Sequence, residues 1–161
     1  MKIRIANSAG FCYGVRRAVE LAERTAEEGR PCVMLGSIIH NKDVIARLAE
    51  KGLTAVERPE DVPEGSAVVI RSHGVTPQVL AAVEDRGFTV VDATCPYVKK
   101  VHVAAERLVR EGYRVIVVGE PGHPEVEGIL GHAGDDARVV SCAADADALP
   151  LKGKVGLVVQ T

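Results

Sequence analysis

Cys12-Tyr13-Gly14-Val15-Arg16-Arg17 returns, lightly altered, as Cys95-Pro96-Tyr97-Val98-Lys99-Lys100. The register then holds without a gap through Glu23/Glu106, Arg24/Arg107, Glu28/Glu111, Gly29/Gly112 and Gly36/Gly119. It ends at His40/His123; 95 − 12 and 123 − 40 both give an offset of 83. Nine of the 29 aligned positions are identical, among them a Cys and a His. Shared helix and strand geometry aligns two amphipathic segments, but it does not align both of those residues. The chain therefore carries two copies of one unit: a cysteine, a helix, a strand, and a histidine on the loop that follows.

Outward from that repeat, short Val/Ile-rich runs at 3–6, 32–35, 67–71, 89–92, 114–118, 138–140 and 155–159 read as strands. Segments of helical period lie between them at 15–28, 41–51, 77–86, 98–111 and 124–131. Thr76-Pro77 is a good helix start, an N-cap with proline at the first helical position. Gly29 and Gly112 follow helical stretches, where a left-handed residue closes the last turn. Continuous apolar strands alternating with amphipathic helices predict parallel sheets covered on both faces. The fold class is α/β, with two similar parallel-sheet units at 1–95 and 96–161 and Cys95 at their junction. In the first copy a strand leads through Ser72-His73-Gly74, a helix and a further strand to the next cysteine. In the second the strand at 155–159 reaches Gln160-Thr161. Continued on the first pattern, one more helix and strand would deliver another cysteine, so the chain reads as a short form or fragment.

With 161 residues, 47% of them apolar, and a net charge of −2, the chain can bury a sizeable core. Mixed charge of near-zero balance argues against a nucleic-acid binder with a broad basic face. The longest apolar runs have strand length and fall far short of a membrane span. Met1-Lys2-Ile3-Arg4-Ile5 reads as a strand and not as a targeting peptide, so the expected setting is cytoplasmic. Four cysteines, 12, 32, 95 and 142, form no CxxC pair. In a reducing compartment each is a buried small hydrophobe, a nucleophile or a metal ligand. Cys32 and Cys142 have no partner pattern and read as core or surface thiols.

Parallel α/β units hold ligands outside the carboxyl ends of their strands. Cys12, Cys95, His40, His73, His123, Glu125 and Thr161 all fall there. Each repeat cysteine opens a helix, whose amides and dipole favour a thiolate or an anionic centre. Arg16, Arg17, Lys99 and Lys100 add positive potential near the same mouth. Loop histidines beside helix starts suit phosphate oxygens. Thiolates on separate loops beside histidines and a carboxylate suit a soft metal centre next to a phosphate pocket. Without local Cys pairs a structural zinc site is a weak competitor. His123-Pro124-Glu125-Val126-Glu127-Gly128 lacks the HExxH pattern of zinc proteases. His102 and His132 lie on helical stretches and read as structural.

Gly10-Phe11-Cys12-Tyr13-Gly14-Val15, Ile39-His40-Asn41, Ser72-His73-Gly74-Val75, Asp92-Ala93-Thr94-Cys95-Pro96, Lys100-Val101-His102, Gly122-His123-Pro124-Glu125-Val126-Glu127-Gly128 and Gln160-Thr161 together resemble the 4-hydroxy-3-methylbut-2-enyl diphosphate reductases. These complete the non-mevalonate isoprenoid pathway. The resemblance runs through the whole chain, in order. It implies three α/β units around an iron–sulfur cluster, 4Fe-4S in the family, held by one cysteine from each unit and with one iron free for the substrate hydroxyl. Cys12 and Cys95 match two of those metal ligands. His40, His73 and His123 match the substrate-binding histidines around the diphosphate, and Thr161 the threonine beside the acid. Glu125 matches the catalytic carboxylate that relays protons to the departing hydroxyl. The implied reaction is a two-electron reductive dehydroxylation to isopentenyl and dimethylallyl diphosphates, with ferredoxin or flavodoxin as electron donor.

The family chain is longer, and its third unit carries the remaining cysteine and further serine and Ser-x-Asn contacts to the diphosphate. The 161-residue species is therefore expected to be poorly active alone. Two other classes fit the residues. One is a non-catalytic cluster scaffold, a homodimer pooling Cys12 and Cys95 from both chains. The other is a metal-free diphosphate-binding α/β module.

Overall fold

A computed structural model of the chain describes residues 1–7, 9–150 and 152–161. Helix α1 (Tyr13–Glu27) leads into β1 (Cys32–Leu35), α2 (Lys42–Glu50), β2 (Thr54–Val56), a 3-10 turn at Pro59–Asp61 and β3 (Ala67–Ile70). Helix α3 (Pro77–Glu84) and β4 (Thr89–Asp92) complete a four-stranded sheet of order β2-β1-β3-β4. The series continues with α4 (Pro96–Arg110), β5 (Arg114–Val118), α5 (Pro124–Ala133), β6 (Arg138–Val140), α6 (Ala143–Asp147) and β7 (Val155–Val159). Its sheet has the order β6-β5-β7. Every strand pair is parallel.

The sequence repeat is a structural one. Helices α1 and α4 are each 15 residues long. The orders β2-β1-β3 and β6-β5-β7 are the same arrangement, so the duplication extends past His40/His123, where sequence similarity fades. Gly29 and Gly112, paired in the repeat, both take positive φ (72° and 78°) after their helices, as their positions require.

Strand periodicity distributes the first core over two layers. Cys32 and Met34 of β1, with Ala67 and Val69 of β3, face α1 and α2. Val33 and Leu35, with Val68 and Ile70, face α3. Around β5, the residues Val115 and Val117 pack with Ala105 of α4 and with Val126, Ile129 and Ala133 of α5.

Two expectations need correction. The run at 3–6 forms no strand: Ile3 and Ile5 are exposed and lie outside both sheets. Its alternation suits a half-buried strand, but a strand also needs a neighbour for its backbone groups, and neither sheet pairs with it. Strand β2 and helix α6 were not anticipated, because β2 is a three-residue edge strand and α6 a single Ala/Asp turn without an apolar stripe.

Candidate functional site

Both repeat cysteines stand at the N-cap of a helix, Cys12 before α1 and Cys95 before α4, and neither side chain caps its helix. The thiols are thus uncommitted at the positive ends of two helices. Gly14 lets the second come up against the first one's helix. A methyl group built on its Cα would lie 2.5 Å from the Cys95 sulfur, so that sulfur rests on the first turn of the helix that Cys12 begins. The Cys95 N–H donates to Ser72 O at 2.8 Å, which fixes the second thiol beside the loop carrying His73.

Three histidines converge from the ends of β1, β3 and β5. Ring centroids are separated by 4.7 Å (His40–His73), 5.8 Å (His40–His123) and 5.3 Å (His73–His123). The carboxyl edges of the two sheets therefore face one another. Small residues on α5 permit this: a methyl on Gly131 would sit 2.5 Å from Thr76 Cβ, and one on Gly128 would sit 3.5 Å from His73 O.

The chemistry of this trio follows from its protonation. Burial, and next the neighbouring His40, His123 and Arg71, hold the His73 pKa down at about 4. Its ring is neutral at pH 7, with a buried Nδ1 that has no hydrogen-bond partner among the described residues. His123 Nδ1 accepts the Glu125 N–H at 3.1 Å. That bond commits the Nδ1 lone pair and leaves the proton of the neutral ring on Nε2. The three rings lie close enough for one ion to touch all of them. A metal, however, needs a free imidazole lone pair, and His123 has none while that bond holds. A group of N–H donors between helix N-termini suits an oxyanion instead.

Glu125, the second residue of α5, is only 4% exposed. Its Oε1 accepts both the Thr161 N–H at 2.7 Å and the Thr161 hydroxyl at 2.8 Å. Gln160 Oε1 accepts the Glu120 N–H at 2.9 Å, which ties the end of β7 to the loop before His123. A buried carboxylate thus stands beside the donor cluster, held through one oxygen.

Comparison with known proteins decides the family. The sequence model of the LytB protein family matches residues 3–161. This chain belongs to the LytB family. A curated relative from Syntrophotalea carbinolica, named 4-hydroxy-3-methylbut-2-enyl diphosphate reductase, is 47% identical over the whole of this chain and 58% of its own length. One of the same name from a Geobacter species is 44% identical, with 57% of its length covered. Among solved structures, that of an (E)-4-hydroxy-3-methyl-but-2-enyl diphosphate reductase superposes with a TM-score of 0.84 at 46% identity, covering 99% of this chain and 58% of that one. The Plasmodium falciparum reductase gives 0.92 at 34% identity, covering 96% and 50%. The LytB chain described here thus spans about 58% of the length of the first of these relatives.

The family's iron–sulfur group suits this donor set. Two thiols that cap neither of the helices they open, one of them lying on a glycine, are soft ligands for iron. Cys32 is buried in the core at the start of β1, and Cys142 is exposed at the start of α6. His102 and His132 form a second pair in the LytB chain. Their rings are stacked at 4.1 Å, and His132 Nδ1 lies 2.7 Å from Glu106 Oε1. His102 is 6% exposed, its Nε2 has no hydrogen-bond partner among the described residues, and burial holds its pKa at about 4. Sequence reading grouped Arg17 with Arg16, Lys99 and Lys100 as positive charge near the mouth and did not foresee its reach to the Cys95 loop, nor the close approaches set by Gly14, Gly128 and Gly131. The available signal was Arg17's place at the border of the buried Gly14, Ala18, Ala22 stripe.

Proposed function

We propose that this chain supplies the first two units, at 1–95 and 96–161, of a 4-hydroxy-3-methylbut-2-enyl diphosphate reductase. One observation carries the proposal: histidines from both sheets meet beside buried Glu125, on the edge where the Cys95 sulfur rests against the Cys12 helix. In this reading Cys12 and Cys95 hold the iron–sulfur cluster, and His40, His73 and His123 donate to the diphosphate oxygens of an allylic substrate. The reaction consumes two electrons and two protons, cleaves the allylic C–O bond and releases water, giving isopentenyl or dimethylallyl diphosphate.

When bound, the cluster supplies the electrons, received from a ferredoxin- or flavodoxin-type donor. The protein's part is positional and protonic. His123 presents its Nε2–H because the Glu125 amide holds Nδ1. His73, neutral at pH 7, offers its one N–H to a phosphate oxygen. Glu125 passes a proton to the departing hydroxyl, with both Thr161 bonds on Oε1 and Oε2 left clear of them. Assayed as 161 residues, the chain is expected to be weakly active, because two thiolates grip a cluster less firmly than three.

The test is anaerobic purification with iron and sulfide analysis, alongside a pyrophosphate titration followed by imidazole nitrogen NMR. We expect iron and sulfide that disappear in the Cys12→Ser and Cys95→Ser variants. Pyrophosphate should move the His40, His73 and His123 signals and leave His132 in place. A colourless protein with no iron after reconstitution, or unmoved histidines, would overturn the proposal.

A further inference from the structure

Arg17 has an environment unlike that of the other basic residues around the thiols. Arg16, its neighbour, is exposed on α1, and Lys99 pairs with Asp92 Oδ2 at 2.5 Å. Arg17 is half-buried and crosses to the other cysteine's loop. Its Nη1 donates to Thr94 O at 3.2 Å and its Nη2 to Asp92 O at 3.4 Å, 77 and 75 residues away in sequence. The loop it grips is braced from within: Asp92 Oδ1 accepts the Thr94 N–H at 2.9 Å, and Thr94 is 4% exposed. One helical turn below Arg17, Gly14 lies under the Cys95 sulfur. A planar fork with two donors aimed at two carbonyls fixes direction as well as distance, which a lysine's single ammonium does not.

Building on the reading of Cys12 and Cys95 as ligands of one group, we propose that Arg17 is a positioning residue that sets their spacing by clamping the Cys12 helix to the Cys95 loop. It touches neither sulfur. Its effect is to pre-organise two thiols so that a bridging thiophile does not have to bring them together itself.

A dithiol probe tests this without a cluster. Phenylarsine oxide joins two neighbouring thiols through arsenic, with release of one water, and forms only weak adducts with a single thiol. Reduced, iron-free chain carrying Cys32→Ser and Cys142→Ser is titrated with it under argon, and the bridged peptides are identified by mass. Expected are a 1:1 adduct bridging Cys12 and Cys95, capture weakened about tenfold or more in Arg17→Met, and wild-type capture in Arg16→Met. Alkylation of each single thiol by iodoacetamide should be unchanged, which separates lost spacing from lost reactivity. Arg17→Lys, which keeps the charge, should be weakened as well. Wild-type capture in Arg17→Met or Arg17→Lys overturns the clamp while leaving the shared-ligand reading intact. Absence of a bridged adduct in the parent chain overturns both. If Arg17→Met does not fold by circular dichroism, Arg17→Lys decides.

Discussion

At the scale of single residues, the site depends on atoms that are absent as much as on those present. Gly14 sits inside α1, where alanine ordinarily gains about 1 kcal/mol of helix propensity. Here a methyl would fall 2.5 Å from the Cys95 sulfur, and overpacking of that kind costs about 1–3 kcal/mol. Gly14→Ala is therefore expected to lower the melting temperature and to impair iron incorporation, against its propensity. Glu125→Gln makes the opposite kind of test. The amide oxygen still accepts both Thr161 bonds, so the fold should be unchanged. Proton delivery is lost, and turnover in the complete reductase should fall by about 10²–10⁴. Stopped assays with reduced methyl viologen measure this; full activity in the variant would remove Glu125 from the chemistry.

Elements meet where their surfaces are small. Helix α5 approaches the 72–76 segment because Gly128 and Gly131 stand on its facing side, three residues apart and hence on one face of the helix. Gly131→Val would drive a branched side chain into Thr76, at a cost of about 1–3 kcal/mol. It should also part His73 from His123, so pyrophosphate affinity falls more than stability alone explains; calorimetric titration beside a thermal melt separates the two. Helix α2 begins at Asn41, whose Oδ1 accepts the Val44 N–H at 3.0 Å. Asn41→Ala should cost about 1 kcal/mol and loosen the loop that carries His40, read as a lower denaturant midpoint.

For the molecule as a whole, one buried and one half-buried imidazole make stability depend on pH. His73 and His102 both have folded-state pKa values of about 4, against an ordinary 6.5, mainly because burial disfavours the charged ring. Between those values the unfolded chain binds more protons than the folded one, so acid favours unfolding. Stability contributed by the neutral rings is complete above about pH 6.5 and is lost as pH falls towards 4. The melting temperature should drop by about 2–4 °C for each kcal/mol lost. His102→Phe, which keeps an apolar ring, should flatten that slope; an equally steep loss in the variant would locate the acid sensitivity elsewhere. Among the described residues no helix is long and apolar enough to cross a membrane.

Local and periodic features were legible in the chain itself. An offset of 83 announced the duplicated unit, and alternation of strand and helix gave parallel α/β sheets, because local periodicity reflects which faces are buried. The cysteines and histidines were legible because they recur at loop positions that geometry alone does not demand. Residues 3–6 were misread because strand pattern is intrinsic but a pairing partner is not. Only the tertiary structure decided that His73 and His123 touch across two sheets and that Arg17 differs from Arg16. It also decided that His123 carries its proton on Nε2. Each of these depends on contacts between residues distant in the chain, or on one hydrogen bond's direction, and neither leaves a period in the sequence.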